Sequence, residues 1–365
     1  MPKDRLDDLF RKLEKHDWAE NRKTAEALAE LGQGAFSHLL NALKSEDGYV
    51  RNGAAVALGK IGNKEATPAL LQALRWRDER IYEDDEDSEA RVSAARALGA
   101  LRDGAACTAL INLLEEGSVR EGNLKSYIID ALGEIGDTSA IPTLARMTED
   151  QNSETQLSAC AALGKMGSEG TEILLKLARD KVRRARQCAT RVLGTSRSRP
   201  AVPTLLAVLE DPADEERVRC EAARALGRIG LSPEILPALR EALNGSSENI
   251  RSAALMGLGY SRDVAAYEAI IQRISDTRFR YVAVMALGEL GDVRACELLK
   301  DMLNHKDSSL RFHAATAIGK IGCADAMAAL VELRAQLAAS SSPLSGAEMT
   351  SIDATIRMLE RKADK

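Results

Sequence analysis

One six-residue phrase governs what this 365-residue chain can fold into. It appears as ALAELG (27–32), ALGKIG (57–62), ALGALR (97–102), ALGEIG (131–136) and ALGKMG (162–167). It returns as VLGTSR (192–197), ALGRIG (225–230), GLGYSR (257–262), ALGELG (286–291) and AIGKIG (317–322). The aligned apolar residues are Leu28, Leu58, Leu98, Leu132, Leu163, Leu193, Leu226, Leu258, Leu287 and Ile318, spaced 29 to 40 residues apart. Self-similarity at such a period marks a stack of small units, none of which can bury its apolar face alone.

Each copy reads as two helices. In the second, Arg51, Ala54, Ala55 and Leu58 fall at i, i+3, i+4 and i+7, one face of an α-helix. Gly59 and Gly62 are read as ending that helix. A second stripe follows with Ala66, Leu70 and Leu74. Pro68 stands near its start, where a missing N–H costs nothing, and Pro142 and Pro203 hold the same slot later. No segment sustains a period of two, so no β-sheet is expected. The expected fold is all-α: a right-handed α-solenoid of about ten two-helix repeats with terminal capping helices. Residues 1–339 are expected to form one continuous stack, 340–347 a linker around Ser340-Ser341-Ser342-Pro343, and 348–365 a capping helix presenting Ile352, Ile356 and Leu359.

Composition fits a thin core. Aromatic residues make up 3% of the chain, although hydrophobic residues reach 45%; a core one helix pair thick has little room for large rings. Lys+Arg 50 against Asp+Glu 55 gives a net charge of −5, which excludes a globally basic nucleic-acid binder. No run approaches the roughly 18 apolar residues of a membrane span. The charged start MPKDRLDDLF lacks a secretory apolar stretch, so a cytoplasmic protein is expected. Cys107, Cys160, Cys188, Cys220, Cys296 and Cys323 include no C-x-x-C pair. They are expected to be reduced thiols, so that reductant leaves the melting temperature unchanged.

The segments YVRNGAAVALGKIG (49–62) and RVRCEAARALGRIG (217–230), followed by EATPALL- and TSAIPTL-type second helices, carry a family pattern. The chain resembles the HEAT-repeat superfamily, and within it the short HEAT-like repeats of the phycobilisome-lyase type, over about residues 1–339. The resemblance implies an α-solenoid. It also implies a possible role as a bilin (tetrapyrrole) lyase-like or chaperone accessory subunit. Function on such folds is grafted onto the stack, so it must be argued from sites.

Three features stand out against the repeat. Arginine recurs seven residues before the aligned apolar position, as Arg51, Arg91, Arg186, Arg219, Arg251, Arg280 and Arg311, with Lys125, Asn21 and Gln156 elsewhere. That slot faces the core, so the column is read as structural, its heads pairing with turn carboxylates such as Asp47 or Asp276. Residues 78–89, DERIYEDDEDSE, carry eight acidic residues and one Arg, and read as a solvated loop or a docking strip for a basic partner. Residues 179–199 carry eight Arg/Lys and one Asp. They read either as an exposed helix edge or as a contact for an anion or acidic protein. The candidate partner-binding residues are Arg179, Lys181, Arg183, Arg184, Arg197 and Arg199, together with Arg75, Trp76 and Arg77. Arg197 replaces a repeat glycine, as Arg102 and Arg262 do. Trp76 reads equally as a binding anchor or a local core residue.

No catalytic motif is present. None of His16, His38, His305 and His313 is followed by Glu, and no phosphate loop, G-x-S-x-G or H-E-x-x-H occurs. No catalytic, cofactor-binding or metal-ligating residue is assigned, and no cofactor is expected. The expected role is a non-catalytic protein-binding scaffold or adaptor, its partner another protein gripped on a concave second-helix face. The alternatives are the lyase-like subunit and nucleic-acid binding through 179–199. Scarce aromatics disfavour base stacking in the latter.

Overall fold

The computed structural model describes residues 3–76, 85–116, 122–180, 185–230, 232–339 and 345–363. Among these residues every regular element is helical, with 22 α-helices and seven one-turn 3-10 segments. The fold is an all-α solenoid of two-helix repeats. No helix among the described residues is long and apolar enough to cross a membrane.

The chain forms two compact units, 1–188 and 189–365. The first opens with a capping helix, Lys3–Leu13. Five helix pairs follow: Trp18–Glu30 with Gln33–Ala42, Gly48–Ile61 with Thr67–Leu74, Asp85–Leu101 with Cys107–Glu115, Gly122–Ile135 with Ile141–Met147, and Ser153–Gly164 with Gly167–Arg179. The boundary falls within Arg186–Thr195, which pairs with Val202–Glu210. The second unit continues with Glu216–Ile229 and Ile235–Ala242, Glu248–Tyr260 and Tyr267–Ile271, Arg280–Leu290 and Cys296–Met302, and Ser308–Ile321 and Met327–Ala339. Ser345–Ala363 closes it, starting three residues earlier than the sequence boundary, with Ile352 and Leu359 buried.

Local chemistry sets each corner. Asp17, Asp47, Asn152, Ser247 and Asp307 cap first helices by accepting backbone N–H groups of the opening turn. Among the described residues, seven of the ten second helices begin with a 3-10 turn, capped in five repeats by Asn63, Asp103, Asp137, Asp263 or Asp292. Pro68, Pro142 and Pro203 stand in the first turn of their second helices.

The two glycines of each phrase do different work. Gly62 ends its helix at φ 75°, as expected. Gly59 lies inside the helix, and a Cβ there would meet the Ala97 Cα at 3.0 Å. The same glycine in later copies faces the next copy's alanine: Gly133 meets Ala162 and Gly288 meets Ala317. Successive first helices therefore touch backbone to backbone, and the expectation that Gly59 terminates its helix is corrected.

The arginine column is structural, but its partners are main-chain carbonyls more than turn carboxylates. Arg91 and Arg186, both buried, donate from Nε to the Leu74 and Ala178 carbonyls at 3.1 and 2.8 Å. Arg219 and Arg280 reach the Leu209 and Ile274 carbonyls, each at 2.9 Å. Arg51 and Arg311 donate to Ser45 and His305 at 2.6 and 2.8 Å. Gln156 does the same to Asp150 at 2.5 Å. All these acceptors lie at or just past the end of the preceding second helix, where carbonyls lack helical partners and the dipole favours a cation. Asp47 instead caps its own helix, and Asp276 pairs with Arg278 at 3.0 Å.

Cys296 and Cys323 are joined in a disulfide between the ninth and tenth repeats. This corrects the expectation of six reduced thiols. The pair escaped notice because the corners of consecutive repeats bring together residues 27 apart in sequence. Cys107, Cys160, Cys188 and Cys220 form no disulfide, and burial pushes the Cys107, Cys160 and Cys220 thiols above their ordinary range.

Two measurements check this fold. Gly227→Ala should destabilise by about 3 kcal/mol, the upper end for overpacking, because its Cβ would lie 1.9 Å from the Gly257 carbonyl oxygen; a chemical melt unchanged from wild type would contradict the packing. Thiol titration in denaturant should count four free thiols without reductant and six with it. Reduction should weaken the last two repeats by about 3–4 kcal/mol on the chain-entropy estimate for a loop of this length.

Candidate anion-binding cleft

The site is built from the last two variable positions of the phrase. The final one follows each first helix and bends left-handed. Seven copies carry glycine there, at φ 55° to 111° (Gly32, Gly62, Gly136, Gly167, Gly230, Gly291 and Gly322). Arg102, Arg197 and Arg262 adopt the same bend at φ 48°, 51° and 53°. A side chain in this conformation costs about 1–2 kcal/mol, which the glycine copies do not incur.

The other position lies two residues earlier, beside the corner of the neighbouring repeat. In order it holds Glu30, Lys60, Ala100, Glu134, Lys165, Thr195, Arg228, Tyr260, Glu289 and Lys320. In the first unit this column neutralises itself. Arg102 donates to Glu134 Oε2 at 2.7 Å, and Lys165 holds the other oxygen at 2.7 Å. Lys165 and then Arg102 hold the Glu134 carboxyl below its usual range.

In the second unit the column has the opposite sign after Arg197, whereas Arg262 is followed by Glu289, the counterpart of Glu134, and forms no ion pair with it among the described residues. The position following Arg197 is Arg228, the next is Tyr260, and only then comes Glu289. Glu289 is already held by Lys320 at 2.6 Å. Thr195, Arg197, Arg228, Tyr260, Arg262 and Glu289 together line a cleft of about 200 Å³. The Arg228 guanidinium lies 4.6 Å from the centroid of the Tyr260 ring, and its Nη1 is buried without a hydrogen-bond partner. Among the described residues, none of the three arginines forms an ion pair. The arrangement can receive an anion, with guanidinium forks for its oxygens and a flat aromatic wall.

Of the sequence candidates among the described residues, only Arg197 lines this cleft. Arg179 and Arg199 are exposed, on the last turn of Gly167–Arg179 and at the head of a 3-10 turn. Arg75 is exposed at the end of Thr67–Leu74. Trp76 is half-buried beneath Arg51, whose guanidinium lies 4.5 Å from its ring centroid. Lys181, Arg183, Arg184 and Arg77 lie outside the described residues. So does much of 78–89, but its end is helical: Asp87, in Asp85–Leu101, pairs with Arg51. Arg228 and Tyr260 were missed. Their signal was the phrase's variable column, which turns from mixed charge to cationic and aromatic at repeats seven and eight.

Models of known families confirm the repeat. The HEAT repeats model matches residues 6–83, 120–190, 171–259 and 267–338, and the PBS lyase HEAT-like repeat model matches 90–116. The chain belongs to the HEAT-repeat family. It is 28% identical over 262 residues to the phycocyanobilin lyase subunit alpha of Nostoc sp., covering 70% of this chain and 72% of that protein. The subunit of that name from Picosynechococcus sp. is 29% identical over 267 residues, covering 72% and 89%. Yeast importin-beta shares the fold with a TM-score of 0.58 at 12% identity, over all of this chain and 58% of that one.

The self-neutralised column generates a pH-dependent prediction. Glu134→Gln should cost about 1 kcal/mol or less near neutral pH, since Glu134 is partly exposed. A depressed folded pKa contributes stability above the unfolded value of about 4.3 and loses it as pH falls through the folded one. The gap in melting temperature between wild type and variant should therefore close between about pH 5 and pH 3. A gap that stays constant would contradict the pairing.

Proposed function

We propose that the chain is a non-catalytic, lyase-like accessory subunit that holds an open-chain tetrapyrrole and works with a second protein. The observation that carries this reading is its similarity to phycocyanobilin lyase alpha subunits, which extends over 70% or more of the chain. Those relatives are named as subunits, which supports a protein partner here. The repeat stack supplies the rigid surface such a role needs, and the arginine cleft supplies a charged attachment point.

A protein adaptor that binds no tetrapyrrole is the second reading. The exposed arginines Arg179 and Arg199 favour it, with Lys181, Arg183 and Arg184 between them in sequence. Arg75, Trp76 and Arg77 form a further proposed contact. An absorbance titration of the purified chain with biliverdin, an open-chain tetrapyrrole, separates the two readings. The lyase-like reading expects a saturable spectral change near one equivalent. A spectrum equal to the sum of its components would leave the adaptor reading standing.

A further inference from the structure

We infer that the cleft between Arg197, Arg228 and Arg262 is a carboxylate site that grips the propionate side chains of a tetrapyrrole, an inference that rests on the reading above. Three observations converge. The first is uncompensated charge: three guanidiniums line one cleft, and its single carboxylate, Glu289, is bound to Lys320. The second is a buried donor without an acceptor, Arg228 Nη1. Such a donor loses its hydration and makes no hydrogen bond until an oxygen arrives.

The third is backbone strain without an internal return. Arg102 shows what a turn arginine does when it is structural: it pairs with Glu134. Arg197 and Arg262 accept the same left-handed bend, yet neither has an ion-pair partner among the described residues. Strained conformations persist at places where they position a group for a ligand.

Size and shape narrow the ligand. Drug-sized molecules fill about 300–1,000 Å³, so a cleft near 200 Å³ admits charged side groups and leaves a conjugated body outside. Tyr260, with Arg228 stacked on it, offers such a body a flat wall. An open-chain tetrapyrrole with two propionates on a flat conjugated skeleton matches both demands. The guanidinium forks match carboxylate geometry and hold it by charge-assisted bonds.

The test compares biliverdin with its dimethyl ester, which keeps the conjugated body and removes both charges. Wild type should bind the free acid at least tenfold more tightly than the ester, since hydrogen bonds to a charged group are each worth that much or more. Arg228→Gln and the double variant Arg197→Gly/Arg262→Gly should lose the same factor for the free acid and none for the ester. The glycine variant restores the residue that seven copies carry at this bend, so it should melt at or above the wild-type temperature. Arg102→Gly should leave binding unchanged. Equal affinity for acid and ester, or cleft variants that bind like wild type, would overturn the carboxylate site while the tetrapyrrole reading survives. If neither compound binds, both fall.

Discussion

The contact on which the stack depends is the meeting of glycine and alanine backbones between successive first helices. Gly133 faces Ala162, Gly194 faces Ala225 and Gly288 faces Ala317, each at a separation that leaves no space for a Cβ on the glycine. Helices that approach this closely exclude large side chains from the seam, which is why the chain can do with so few aromatics. The remaining core is carried by one row of leucines per repeat, Leu58, Leu98, Leu132 and their counterparts, all fully buried. Their burial is worth about 1.5–3 kcal/mol each. That gain is realised only if neighbouring repeats are in place, so stability belongs to the stack and not to any single pair.

Close packing creates a second demand, which the arginine column meets. Every second helix ends against the start of the following repeat and leaves carbonyls without helical partners. A buried guanidinium from the next first helix supplies donors and opposes the helix dipole at once. Arg91 to Leu74 and Arg186 to Ala178 are the most enclosed examples. Where it makes these bonds, the column locks a repeat to its predecessor by polar geometry, whereas the glycine seam locks it by shape. This is why a ladder of arginines in this chain carries little information about a ligand.

The fold was legible because its signals are periodic and local. Ten phrases gave ten helix pairs, and Pro68, Pro142 and Pro203 marked the starts of their second helices correctly. What escaped the sequence shares a physical cause. Gly59 and Gly62 look alike in one dimension, although one permits close approach and the other a positive φ. Main-chain acceptors have no letter of their own, so the carbonyl partners of Arg51 and Arg280 could not be named. Cys296 and Cys323 meet only because equivalent corners stack. In the candidate site, Arg197 was visible as a departure from glycine. Its neighbours Arg228 and Tyr260 were hidden in a position that tolerates any residue.

Equivalent positions within one chain carry charge that is paired internally at Arg102 and charge that is not at Arg197 and Arg262. The left-handed corner accepts glycine at no cost, so an arginine there must gain something that glycine cannot. At Arg102 the gain is internal, because the neighbouring position is Glu134 and the pair closes at 2.7 Å. At Arg197 the neighbouring position is a third arginine, and repulsion adds to the strain. Arg228 turns toward Tyr260 and leaves Nη1 buried and unpaired. The Arg228–Tyr260 contact offsets part of this, but neither Arg197 nor Arg262 gains an ion pair for its strained corner among the described residues. The return comes when an anion enters: its oxygens satisfy the buried donor, cancel the repulsion and give the strained corners the partner that Arg102 already has.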